Sequence, residues 1–404
     1  MREERMRSGT FWGWCGFVLC VELMGYGLAH GVARSFDFAA FYAAGRILRS
    51  APSHLYDVAM QMQVERAWVG TQRFFPFYHL SYEALLYAPL SLLSYAWAYV
   101  AWMGVNLGAL AVAYGLGPKA AGLGGVPRMV LFFGLVPTLF CLMVGQNSLL
   151  FLMVLCVVWR CVERGRWGLA GVVLGLGLFK LPLAIVIAAL LALRLGWRFA
   201  AGFAASAAGV LGVCVGLVGI DGTRAMVGLM REAAAAPAGG MAAQARMAVI
   251  PQGMPNLNGL VYVAGGGFLT ARAAMTVELT LAAAVLVGCA VLVRRVRRPA
   301  DAFCVAVTCG LLVSQHAGVH DMSLLLVPVL LGAGRMQRAW VVLCYALPVV
   351  LFGVAFPRFL ALDGVVPLLF LAGVVYELWV RRGGERQEGD SEKVLGERLD
   401  GVVG

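Results

Sequence analysis

The sequence is short of charge. Asp, Glu, Lys and Arg make up 13% of its 404 residues and apolar residues 61%, whereas a soluble domain carries about 25% charged residues. Mean hydropathy is +0.83. This composition excludes a water-soluble enzyme, a DNA-binding fold and a secreted disulfide scaffold, and reads as an all-α polytopic membrane protein. Paired cysteines are also missing. All ten cysteines lie in apolar runs and none forms a C-x-x-C pair, so they read as small packing residues rather than zinc ligands or disulfides. There is no Walker or G-x-G-x-x-G element in a strand-turn-helix context, no repeat with a period of 20 to 50 residues, and no inverted pairing of broken helices.

Long apolar runs are what the chain does have. A window of about 19 residues marks about twelve spans, at 11–31, 95–116, 129–144, 149–163, 167–180, 181–194, 199–219, 272–293, 301–315, 321–334, 339–356 and 361–380. The first follows Arg2, Arg5 and Arg7 without a convincing cleavage site, so it reads as an uncleaved helix. With residues 1–10 and the charged, disordered tail 381–404 in the cytoplasm, 21 of the 32 Lys and Arg fall on the cytoplasmic side. The formal charge of +11 is then a positive-inside anchor rather than a nucleic-acid surface. The long loops 32–94 and 220–271 of the membrane domain 11–380 fall outside. Within them, 75–93 holds His79, Glu83 and two prolines and is expected as an interfacial or re-entrant helix on the outer face; 257–268 is too short to span and is expected to be re-entrant.

Ionisable groups at membrane depth persist where they face a cavity or a partner. Under this topology all five histidines fall on the outer side, with Asp37, Lys180, Asp321 and the amide pair Gln146 and Asn147. Asp37 lies in the stretch 34–46, expected to be a membrane-surface helix, where its carboxylate suits either a general base or a helix N-cap. Gly145-Gln146-Asn147-Ser148 suits a turn, with or without amides that bind sugar hydroxyls. Lys180 is the lone lysine between Trp167 and Leu193; it either snorkels to head groups or holds a phosphate. His316 and His320, four apart, suit a metal only if helical, and the Gly between them and a missing third ligand favour hydrogen bonding to phosphate or sugar, or a plain surface turn.

Taken in order, these segments resemble the glycosyltransferase family 87 membrane enzymes. The similarity rests on Asp37-Phe38 with Tyr42-x-x-Gly45, Leu55-Tyr56-Asp57, Phe75-x-Phe-Tyr78 with Ala88-Pro89-Leu90, Gly145-Gln146-x-Ser148, Lys180-x-Pro182, and His316 with His320-Asp321. It departs at Phe75-Pro76-Phe77-Tyr78-His79, where a Tyr-Pro-Pro-like run is commoner, and at Leu181. The resemblance implies a GT-C-like fold and an inverting hexosyl transfer, mannose in the best-known relatives, from a polyprenyl-phosphate sugar to a glycolipid, glycan or protein acceptor on the extracytoplasmic face of the cell membrane. It implies that Asp37 is the general base. Lys180 with His316 or His320 are the expected contacts to the donor phosphate, with Arg34, Arg46, Arg224 and Arg231 weaker candidates. Tyr42, Tyr78, Gln146, Asn147 and Asp321 are the expected substrate-binding residues. No metal or other cofactor and no nucleic acid is expected. The rival reading is a transporter or flippase of a lipid-linked sugar, which needs polar groups at mid-depth; a non-catalytic assembly protein is the third.

Overall fold

Backbone in hydrocarbon has to satisfy its own hydrogen bonds, so helices are the expected spanning elements of a chain this apolar. The computed structural model describes residues 37–71, 73–119, 128–133, 135–239, 249–265 and 268–332, with isolated positions between 18 and 29, at 243 and 247, and between 365 and 376. Among the described residues every regular element is helical and no strand forms. The helices are α1 (Phe38–Ser50), α2 (Val58–Val64), α3 (Ala84–Tyr87), α4 (Tyr95–Leu116), α5 (Arg128–Phe133), α6 (Val136–Val144), α7 (Ser148–Glu163), α8 (Trp167–Leu176), α9 (Leu181–Leu195), α10 (Trp197–Ala235), α11 (Leu257–Gly265), α12 (Ala271–Arg295), α13 (Pro299–Val313) and α14 (Leu326–Gly332).

Four segments are long and apolar enough to cross a membrane: α4, Leu178–Leu195, α10 and α12. The expected spans 11–31, 339–356 and 361–380 lie outside the described residues, apart from isolated positions. Helices α4, α7, α9, α12 and α13 follow the expected boundaries closely. Three expectations change. The run 129–144 is two helices, because Pro137 lacks an N–H and belongs in the first turn of a new helix, α6. Helix α10 runs on to Ala235, well into the expected loop 220–271, and breaks its regular geometry at Gly219 (φ 72°). The run 75–93 is not one helix. It is an extended stretch followed by a turn at Ser81–Glu83, the four-residue α3 and a turn at Leu90–Leu92, as Pro76 and Pro89 allow. It is tied to α10 through Ser81 Oγ, which donates to the Cys214 carbonyl at 3.2 Å.

The expected surface helix α1 is instead a core element, with ten of its 13 residues buried. Its Phe-Ala-Ala-Phe-Tyr-Ala-Ala sequence is apolar all round, as a buried helix requires. The Phe38 ring sits against Tyr95 and Tyr99, both at 5.6 Å, and stacks on Trp102 at 6.4 Å. Helices α8 and α10 cross in near backbone contact. A Cβ on Gly171 would strike the Phe199 carbonyl, and one on Gly202 the Gly168 carbonyl. Lipid supplies no hydrophobic drive between helices, so such small-residue crossings are how they gain packing energy.

Candidate active site

The site is built on a turn. Helix α6 ends at Gly145, whose φ of 73° is left-handed and suits glycine; a Cβ there would also strike Phe38. From below, Trp102 Nε1 donates to the Gly145 carbonyl at 2.8 Å and Tyr99 OH to the Met143 carbonyl at 2.7 Å. The chain therefore reverses rigidly, and the next two side chains leave in different directions.

Gln146 turns to Asp37, donating its Nε2 to Oδ2. Its Oε1 accepts from Lys180 Nζ at 3.5 Å. One amide thus uses its donor on a carboxylate and its acceptor on an ammonium, the only orientation that suits both charges. Asp37 occupies the N-cap position of α1 but its side chain caps nothing. Its half-buried carboxylate is left facing the cavity, and among the described residues Gln146 is the hydrogen-bond partner it has.

Lys180 ends a 3₁₀ turn, Leu178–Lys180, at the point where Pro182 starts α9. It is 8% exposed. A buried ammonium needs pairing, and Asp321 Oδ1 supplies it at 2.8 Å. Asp321 is itself saturated: Ser148 Oγ donates to Oδ1 at 2.6 Å, the Gly318 N–H to Oδ2 at 2.9 Å, and His320 Nε2 stands 3.3 Å from Oδ2.

A second cluster adjoins this one. Glu83 is fully buried and takes His79 Nδ1 at 2.9 Å, Tyr87 OH at 3.1 Å and Asn147 Nδ2 at 2.7 Å. Burial pushes the His79 imidazolium towards neutrality, but the Glu83 carboxylate more than offsets it, and the His79 pKa ends above its ordinary value. His316 goes the other way. Desolvation outweighs the nearby Asp37 and pushes it down to about 4, with its side chain open to the cavity. Its Nε2 lies 2.6 Å from Tyr78 OH. Burial, with Asp37 adding to it, raises the Tyr78 pKa and keeps the phenol protonated.

These groups line one cavity of about 400 Å³. Asp37, Tyr78, His79, Gln146, Lys180, Asn258, Glu278, Gln315, His316, His320 and Asp321 form its polar lining, and Met230, Ala233, Pro237, Val249, Met254 and Met275 supply apolar surface. Seven of the nine expected site residues therefore meet. Tyr42 and Asn147 do not line the cavity. Tyr42 OH donates to the Leu93 carbonyl at 2.8 Å, and Asn147 is spent on Glu83. Of the weaker cations, Arg34 lies outside the described residues. Arg46 stacks on Trp68 at 3.4 Å and donates to the Ser91 carbonyl at 3.1 Å, and Arg224 pairs with Asp221 at 2.8 Å on the surface. Arg231 is exposed and does not line the cavity. Among the described residues no set of three or more His, Cys, Asp and Glu gathers as metal ligands.

Two ionisable residues of the cavity, His79 and Glu278, were not among the expected site residues. The signal for both was present: a carboxylate in an apolar run, at Glu83 with His79 four residues before it, and at Glu278 within α12.

The model of glycosyltransferase family 87 matches residues 82–315. That stretch contains Glu83, Gln146, Lys180 and Glu278, and leaves Asp37, Tyr78, His79, His316, His320 and Asp321 outside it. No curated protein and no solved structure matches the chain.

Proposed function

Since the chain belongs to glycosyltransferase family 87 and is thereby a glycosyltransferase, we propose that it moves a hexose, mannose in our reading, from a polyprenyl-phosphate donor to a hydroxyl of a glycolipid, glycan or protein, with inversion. In this reading the cavity opens on the extracytoplasmic side of the cell membrane, the loops 32–94 and 220–271 lie outside, and both termini are cytoplasmic.

One observation carries the proposal: Asp37 and Lys180 hold opposite ends of the Gln146 amide at a single cavity. A displacement at an anomeric carbon needs a base for the incoming hydroxyl and positive charge for the outgoing phosphate, a sugar's width apart. Asp37 takes the proton as the acceptor oxygen bonds to the anomeric carbon. The bond from that carbon to the phosphate oxygen breaks, and its electron pair leaves with the lipid phosphate. Lys180 meets that charge, helped by the N–H of His316 and by His320 and His79. Groups already fixed where charge develops cost no reorganisation during the reaction. Asp321 sets the position of Lys180, and Gln146 that of Asp37. The apolar part of the lining suits the prenyl chain.

The test supplies the purified chain in vesicles with synthetic polyprenyl-phosphate mannose and extracted lipids. Free polyprenyl phosphate and a glycosylated lipid are expected in equal amounts, and Asp37→Ala is expected to give neither. Passage of intact lipid-linked sugar across the vesicle without consumption of donor would establish the transporter instead.

A further inference from the structure

Glu278 is a buried carboxylate that the mechanism above does not use. It lies in α12, one turn from Met275, and both line the cavity, as residues three apart on one helix face do. It is 2% exposed, and among the described residues no hydrogen bond or ion pair reaches its carboxylate. The hydrogen bonds and ion pairs that join Asp37, Gln146, Lys180 and Asp321 do not include Glu278, yet it opens on the same cavity.

A carboxylate taken out of water without a partner costs free energy that something else has to offset. Every other carboxylate at the cavity already has a partner: Gln146 for Asp37, and Lys180 with Ser148 for Asp321. The partner of Glu278 is then a ligand with donors. It is not the donor phosphate, whose charge Glu278 repels and Lys180 attracts. The anomeric carbon has to sit between Asp37 and Lys180, and the attacked hydroxyl beside Asp37. A carboxylate on the same cavity but outside that hydrogen-bonded cluster meets the part of the acceptor beyond that hydroxyl. The two oxygens of a carboxylate accept from a neighbouring pair of hydroxyls, and Asn258, also in the lining and fixed by its Nδ2 to the Gln315 carbonyl at 3.2 Å, presents an amide in the same cavity.

We propose that Glu278 is the hydroxyl-binding carboxylate of an acceptor subsite, and that the acceptor is polyhydroxylated there, a sugar or polyol rather than a simple alcohol. The proposal rests on the glycosyltransferase reading. Glu278 is a specificity residue that sets acceptor binding, and Asp37 remains the base.

The full chain is placed in nanodiscs free of glycoside detergent. Binding of hexyl mannoside and hexyl glucoside is measured for wild type, Glu278→Gln and Glu278→Asp, with thermal melting to show that each variant is folded. Wild type is expected to bind at least one glycoside, and Glu278→Gln about tenfold more weakly, as loss of a charge-assisted hydrogen bond predicts. Glu278→Asp keeps the charge and should recover part of the affinity. In the transfer assay, Glu278→Gln should raise the acceptor KM about tenfold while donor KM is unaffected, so that the loss falls in acceptor KM rather than kcat. Equal glycoside binding by folded wild type and Glu278→Gln, or no binding by wild type, overturns the proposal. So does a fall in kcat with acceptor KM unchanged, which would place Glu278 in the chemistry. Glycoside binding that depends on Glu278 in a chain that transfers no sugar overturns the transferase reading instead.

Discussion

Lys180 Nζ lies 2.8 Å from Asp321 Oδ1, with both side chains almost wholly buried. Removing one partner of such a pair strands the other charge. We predict that Asp321→Asn loses about 3–5 kcal/mol of stability, whereas the double variant Lys180→Met, Asp321→Leu recovers much of it because no charge is left unpaired. Chemical denaturation of the two variants checks this. Both should be inactive if Lys180 receives the departing phosphate.

Glu65 gives a pH dependence of known sign. It is 1% exposed and its carboxyl, pushed up to about 8 by burial against the opposing Phe75 N–H, stays protonated in the folded chain at neutral pH. A carboxyl whose folded pKa is raised favours folding below the unfolded value, near 4.5, and loses that contribution as pH climbs to about 8. Glu65→Gln cannot ionise. Its melting temperature should therefore match wild type near pH 4.5 and exceed it increasingly towards pH 8.

His79 titrates in the same sense for a different reason. Glu83 holds its pKa above 6.5 against the opposing effect of burial, so their pairing stabilises the fold fully below pH 6.5 and weakens as pH rises through the folded value. The stability gap between wild type and Glu83→Gln should be widest in acid and narrow above neutrality. Melting curves across that range test it, and a gap that widens with pH would count against a charged His79.

Gly145 is where fold and site meet. Gly145→Ala places a Cβ against Phe38 in a left-handed conformation that alone costs roughly 1–2 kcal/mol. We expect a lower melting temperature and, because Gln146 shifts with the turn, a fall in kcat on the order of a hundredfold with donor KM less affected.

Much of the site was legible because polar residues are scarce in this chain. Lys180, alone in a long apolar run, and Gln146, His316, His320 and Asp321 at the breaks between spans all come together at the cavity. Asp37 was legible only in part: its place ahead of a helix suits a cap as well as a base, and spacing does not say that its side chain turns to Gln146 instead of to the backbone of α1. What spacing does not carry is direction. Gln146 and Asn147 are neighbours in sequence, yet one reaches Asp37 and the other the buried Glu83. Tyr42 likewise looks like a ligand contact in a motif and is a strut to the Leu93 carbonyl. Helix boundaries were clear where Gly or Pro marks them, and the run 75–93 was misread because hydropathy alone does not separate one helix from an extended stretch followed by short turns.

The central claim is that Asp37 takes the acceptor proton, and the direct test is Asp37→Asn, which keeps the shape and the contact with Gln146 but removes the base. With synthetic polyprenyl-phosphate mannose and a saturating acceptor, single-turnover transfer should fall by about 10²–10⁴ while donor binding holds. Transfer at the wild-type rate by folded Asp37→Asn would contradict the account.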